Sequence, residues 1–170
     1  MSKYLKLNQK GMTLVEIILV FAIVGIMAGS AFLIIGHLRY ADTEKAARAI
    51  DSALDKLQVE TMSKSGSHYL YIYHLGNGCY MKVLSEDLTT FDSSKLDNSG
   101  KRLANNTVEI YMDSEDSAHK VDGTTFIKVT YTKALTFDST NTNVSNIIVK
   151  GGPTYKIQLV TDTGKHFLNH

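Results

Sequence analysis

The chain has 170 residues, enough for one modest domain or for a globular head on a helical stalk. Its 18 basic and 17 acidic residues leave a net charge of +1, so the charge does not support nucleic-acid binding. The single cysteine, Cys79, excludes an internal disulfide, and packing alone must therefore hold the head together.

The first eleven residues form a short basic segment. Lys3, Lys6 and Lys10 precede Gly11, and no acidic residue lies among them. A positive segment ahead of an apolar run is held on the cytoplasmic side of a membrane. We therefore expect everything after the apolar run to lie outside the cytoplasm.

An apolar run begins directly after one carboxylate. Nineteen uncharged residues, from Ile17 to Ile35, follow Glu16. A helix of that length crosses about 30 Å of hydrocarbon at about 1.5 Å per residue. The run can be a plain membrane anchor, a secretory signal cleaved near the small residues of Met27–Ala31, or a helix left at the new N-terminus when a leader is removed after Gly11.

The helical pattern continues beyond the apolar run. From His37 to Lys64 the chain has no glycine and no proline, and its apolar residues fall on one helical face. We predict one continuous helix from about Thr13 to about Lys64, apolar in its first half and amphipathic in its second. Cleavage near Ala31 would discard the first half, so this continuity favours removal of a leader after Gly11.

The residues after the helix predict a β-rich head. Alternating tyrosines predict a strand from Tyr69, a turn at Gly76-Asn77-Gly78 and a return strand at Cys79–Leu84. The polar stretch Ser85–Asn106 is predicted to be a loop. Further strands are predicted at residues 107–112, 124–132, 146–149 and 154–161, and a final hairpin turns at Asp162-Thr163-Gly164 into residues 165–168.

These elements predict an α+β fold, with a long N-terminal helix packed on an antiparallel β-sheet head. We divide the chain into a leader (residues 1–11), a helix (12–63) and a head (64–170). Residues 12–36 of the helix would form its apolar, membrane half, and residues 37–63 would form its amphipathic half.

Glu16 has a local interpretation and a functional one. The sequence Thr13-Leu14-Val15-Glu16 fits a capping box with Thr13 as the helix N-cap. A carboxylate in the first helical turn is also stabilised by the helix dipole, by about 0.3–1 kcal/mol. Alternatively, cleavage after Gly11 would give Met12 a charged amine, which could pair with Glu16 of the same chain or of a neighbouring one.

The residues Lys10-Gly11-Met12-Thr13-Leu14-Val15-Glu16, followed by an apolar helix, resemble the N-terminal signature of type IV pilins and pseudopilins. The resemblance implies that a membrane peptidase cleaves between Gly11 and Met12 and methylates Met12 as the new N-terminus. It also implies that Glu16 serves assembly by meeting the amine of a neighbouring subunit.

The resemblance implies a non-enzymatic filament subunit, in which residues 12–36 lie in the membrane before assembly and in the filament core afterwards. Its implied partners are a prepilin peptidase, other pilin or pseudopilin subunits, an inner-membrane assembly platform and, before assembly, the membrane itself. The closing hairpin, with its Thr163-Gly164-Lys165 turn, is similar to that of H-type pseudopilins and minor pilins, including competence pseudopilins. The rival interpretation is a secreted or membrane-tethered β-rich binding module whose first helix is only a signal or an anchor.

The head offers no pattern typical of catalysis. His166 and His170 would share a face only on a helix, whereas this segment is predicted to be a strand. The acidic stretch Asp113–Gly123 lacks the spacing of a calcium loop and is interpreted as a solvated loop. Cys79 in a tyrosine-rich strand is interpreted as packing rather than as a nucleophile. We therefore expect no enzymatic activity, no cofactor and no metal.

Overall fold

The computed structural model describes residues 13–170, with the backbone but not the side chains of residues 30–38. The predicted cleavage site between Gly11 and Met12 therefore lies outside the described residues, as do the side chains at the end of the apolar run. Contacts divide the chain into two compact units, Met1–His37 and Leu38–His170.

A single helix, α1, spans Leu14–Ser63. It contains no proline, and it ends shortly before Gly66, whose φ of 94° lies in the left-handed region that glycine adopts without strain. Within the part of the chain that is described, no helical segment combines the length and the apolarity needed to cross a membrane.

Eight strands follow the helix and form two four-stranded antiparallel sheets. The strands are β1 (Tyr69–Leu75), β2 (Gly78–Leu84), β3 (Lys101–Asn105), β4 (Glu109–Met112), β5 (Phe126–Thr130), β6 (Asn146–Lys150), β7 (Thr154–Val160) and β8 (Lys165–Asn169). One sheet has the order β3-β2-β1-β5, and the other has the order β4-β6-β7-β8. The predicted α+β class is confirmed, and the head contains two sheets.

Both predicted hairpins are confirmed. Strands β1 and β2 pair as far as Leu75 and Gly78, so the chain reverses over two residues, and Gly76 has a φ of 43° there. Strands β7 and β8 pair as far as Val160 and Lys165, and Gly164 lies in that turn with a φ of 63°.

One buried cluster joins the helix to both sheets. Ile50, Leu54 and Leu57 of α1 are fully buried, as are Ile72 of β1 and Ile157 of β7. Burying one such side chain stabilises a fold by about 1.5–3 kcal/mol. The stepping of apolar residues by three and four in this part of α1 therefore matches the face that packs.

The prediction of a loop over Ser85–Asn106 is wrong at its end. Residues Lys101–Asn105 form β3, an edge strand that pairs with β2 around a register shift at Cys79/Tyr80. Only Leu103 and Ala104 of this strand are buried, so the sequence lacks the alternation that identifies a strand.

The rest of that stretch covers the outer face of the first sheet. Leu88 and Leu96 are buried against Tyr69, Tyr71 and Tyr73 in a second, smaller cluster. The hydroxyl of Tyr71 accepts a hydrogen bond from the amide of Leu88, at 2.8 Å, and donates one to a backbone carbonyl of the same stretch. This stretch therefore packs on the sheet, although its polar composition predicted a loop without buried residues.

Two other strands are shorter than predicted. The strand predicted at residues 107–112 begins at Glu109, because the chain turns at Val108, whose amide donates to the carbonyl of Asn105 at 3.1 Å. The strand predicted at residues 124–132 begins at Phe126, because the amides of Thr124 and Thr125 donate hydrogen bonds to Asp122 Oδ1 instead of to a neighbouring strand.

Candidate functional site

The first turn of α1 holds Thr13 and Glu16 in reciprocal hydrogen bonds. The amide of Thr13 donates to Glu16 Oε2 at 3.0 Å, and the Thr13 hydroxyl donates to the same oxygen at 3.1 Å. The amide of Glu16 lies 3.3 Å from Thr13 Oγ1, and the amide of Ile17 donates to the Thr13 carbonyl at 3.2 Å. This is the geometry of a capping box, in which a side chain at each end satisfies an amide that the helix leaves unpaired.

The cap uses only one oxygen of the carboxylate. Glu16 Oε2 accepts both bonds from Thr13, and Glu16 Oε1 accepts no hydrogen bond from the residues that the structure describes. Both side chains are exposed. A carboxylate oriented by its own helix, with one oxygen open, is able to receive a cation without giving up the cap. Met12, the residue predicted to supply that cation, lies outside the described part of the chain.

On both sides of Glu16, large apolar side chains in the first part of α1 are exposed. The most exposed of them are Leu14, Val15, Phe21 and Ile26, each 72–76% accessible. The other exposed large apolar residues between Leu14 and Met27 are less accessible, and they are Ile17, Ile18, Leu19, Val20, Ile23, Val24 and Met27. A contiguous apolar surface of this kind marks a protein or membrane contact.

The cysteine of the head is placed for packing. Cys79 is 1% exposed within the main core, and its Sγ donates to the carbonyl of Val108 at 3.7 Å. Burial raises the pKa of the Cys79 thiol to about 11, so the reactive thiolate is scarce at neutral pH. The predicted burial of Cys79 is confirmed.

The histidines of the head make separate contacts. His119 Nδ1 lies 2.6 Å from Asp116 Oδ1, and His74 Nε2 lies 3.1 Å from the side-chain oxygen of Asn106. His166 lies near two aspartates of α1, a pairing that the sequence did not indicate. No group of three histidine, cysteine or carboxylate side chains in the described residues is arranged to hold a metal ion.

The comparison with protein families identifies the N-terminal region. Residues 6–32 match the model of the prokaryotic N-terminal methylation motif, the signature of type IV pilins and pseudopilins. The matched segment contains Gly11, Met12, Thr13 and Glu16. The predicted resemblance is confirmed, and the motif indicates a type IV pilin-like precursor.

Neither a curated protein nor a solved structure matches the chain.

Proposed function

We propose that this protein is a structural subunit of a type IV pilus-like filament, of the minor pilin or pseudopilin kind. It is held in the membrane before assembly and is packed with other subunits through its N-terminal helix. The single observation that carries the proposal is the match of residues 6–32 to the N-terminal methylation motif. The proposed role is structural, with no catalytic activity.

The burial pattern of α1 supports different roles for the two halves of the helix. The described side chains of residues 13–29 are exposed and mostly apolar, which suits a membrane segment that later becomes part of a filament core. In the second half, Ala46, Ile50, Leu54 and Leu57 are buried in the head while other positions stay accessible. The first part of α1 would thus serve assembly, and the second part would support the head.

The motif also supports the proposed processing. A prepilin peptidase would cleave between Gly11 and Met12 and methylate the new amine of Met12. The precursor would be a single-pass membrane protein with its N-terminus in the cytoplasm, and the assembled subunit would lie in a filament at the cell surface. An inner-membrane platform would add it to that filament.

The proposed assembly role of Glu16 rests on its open oxygen. The methylated amine of a neighbouring subunit would approach Oε1 while Thr13 holds Oε2. Two opposite charges at the edge of an apolar helix relieve each other's desolvation, and their pairing would set the axial offset of adjacent helices.

The test separates the charge of Glu16 from its cap. Glu16→Gln keeps an oxygen that can accept the Thr13 bonds but removes the charge, whereas Glu16→Ala removes both. We expect each variant to be inserted and cleaved as the parent is, and to be largely missing from sheared, purified filaments on immunoblots. If Glu16→Gln enters filaments at the parental level, the charge of Glu16 is not needed for assembly and its role is only to cap the helix. If the parent chain itself is absent from filaments, the proposed function is contradicted.

A further inference from the structure

Two open grooves flank the second half of α1 within the head. The first, about 330 Å³, lies between α1 and strands β2 and β3, and it is called the basic groove here. The second, about 420 Å³, lies between α1 and strand β8, and it is called the acidic groove. At 3.6 residues per turn, Ser52 and Lys56 fall on one side of the buried stripe, and Asp51 and Asp55 fall on the other.

The basic groove contains three lysines and no acidic residue. Lys82 is neutralised, since its Nζ lies 2.8 Å from Asp97 Oδ1. Lys56 and Lys101 are exposed and make no ion pair with any described residue. The floor of the groove is formed by Ala49, Ala53, Leu70, Met81 and Val83. Two unpaired ammonium groups beside an apolar floor would favour contact with a surface that carries carboxylates.

The acidic groove supplies such carboxylates. Asp51 and Asp55 come from successive turns of α1, and the side chain of Asp55 is 71% exposed. His166 Nε2 lies 3.4 Å from Asp51 Oδ1 and 3.5 Å from Asp55 Oδ1, so one imidazole is shared between two carboxylates. Lys165 also lines this groove but forms no ion pair with either aspartate. Asp55 is therefore left open to a further cation.

We propose that the acidic groove of one copy of this chain packs against the basic groove of a second copy, with Asp55 facing Lys56 and Lys101. The two surfaces differ, so the contact is heterologous: it does not close within a pair and can repeat from copy to copy. This inference rests on the proposed function and adds to it that copies of this chain are neighbours in the filament.

Site-specific crosslinking tests the direction of the contact in the full-length chain. Ser52→Cys places a thiol on the basic side and Gln58→Cys places one in the acidic groove, while buried Cys79 stays unreactive. In membranes and filaments of cells that make both variants with different tags, a short bis-maleimide should give mixed dimers. Either variant alone should give none, and a chain with both changes should give a ladder. Dimers from Ser52→Cys alone, or crosslinks only to a different protein, would overturn the proposal.

A charge exchange tests the electrostatic pairing. Asp55→Lys or Lys101→Glu should each lower the yield of mixed dimers about fivefold. The two changes in one chain should restore part of the yield, because positions 55 and 101 then carry opposite charges again while Lys56 is unchanged. Lys156→Glu is the matched control, because Lys156 is exposed on β7 and lies outside both grooves. Unchanged dimers in both single variants, or no recovery in the double variant, would overturn the proposal. If the groove contact is overturned but the single variants are still found in filaments, the proposed function as a filament subunit is not contradicted.

Discussion

At the scale of single residues, Glu16 is explained in part by its own helix. Thr13 supplies two hydrogen bonds to one oxygen of the carboxylate, so the side chain is fixed before any partner arrives. A rigid carboxylate loses less conformational entropy when it meets a cation than a freely rotating one does. The sequence predicted the residues of the cap, because a capping box is a local pattern, whereas the choice of oxygen was visible only in the structure.

Gly164 is the glycine whose replacement we expect to be most costly. Its φ is 63°, and an added Cβ would lie 1.7 Å from the carbonyl oxygen of Leu135. A left-handed backbone alone costs a non-glycine residue about 1–2 kcal/mol, and the backbone clash adds to this. We predict that Gly164→Ala lowers the free energy of unfolding by about 2 kcal/mol or more in chemical denaturation.

The matched control for that prediction is Gly123→Ala. Gly123 has no positive φ, and an added Cβ there would meet no atom within 4 Å. This variant should keep the parental unfolding free energy to within about 0.5 kcal/mol. Equal stability of the two alanine variants would contradict the described packing of the β7–β8 turn against Leu135.

At the scale of elements, the outer face of the first sheet depends on its tyrosines. Tyr71 of β1 is fully buried under the stretch that contains Leu88, and its hydroxyl accepts a hydrogen bond from the Leu88 amide and donates one to the Glu86 carbonyl. Burial raises the pKa of Tyr71 from 10.0 to about 12. The unfolded chain therefore loses this proton at a lower pH than the folded chain does, and Tyr71 stabilises the fold fully below pH 10 and loses that contribution as the pH rises to about 12.

We predict that Tyr71→Phe lowers the unfolding free energy at neutral pH by about 1–3 kcal/mol, because the buried amide of Leu88 loses its partner. The same variant should show a shallower fall in unfolding free energy between pH 10 and about 12, measured by denaturation at a series of pH values. Tyr69→Phe is the matched control, since Tyr69 lies in the same cluster and its hydroxyl makes no hydrogen bond with the described residues. An alkaline slope in Tyr71→Phe equal to that of the parent would contradict this account.

The elements predicted from sequence are those with short-range signals. The helix follows from apolar steps of three and four, and the first hairpin follows from alternating tyrosines around Gly76-Asn77-Gly78. Strand β3 was missed because it pairs with residues of β2 that lie 20 to 27 positions earlier in the chain, and because its own composition is mostly polar. The contact of His166 with α1 was missed for the same reason, since more than one hundred residues separate the two positions in the chain.

At the scale of the whole molecule, the described structure and the N-terminal motif both support the proposed role as a filament subunit. The second compact unit, Leu38–His170, contains the head and the second half of α1 and has its own core, and its described residues hold no cluster suited to bind a metal. Eleven of the exposed large apolar residues lie between Leu14 and Met27 of α1, next to the capping box and within the matched motif. These observations support the proposed role of the chain in filament assembly.

The measurement that tests this account most directly is the intact mass and the N-terminal fragment spectrum of the mature protein from its native membranes. The account predicts a chain that begins at Met12 and carries one methyl group on its α-amine. A mature chain that begins near Phe32, or that retains residues 1–11, would contradict it. The first of these results would instead support a secreted β-rich module whose apolar helix is only a signal.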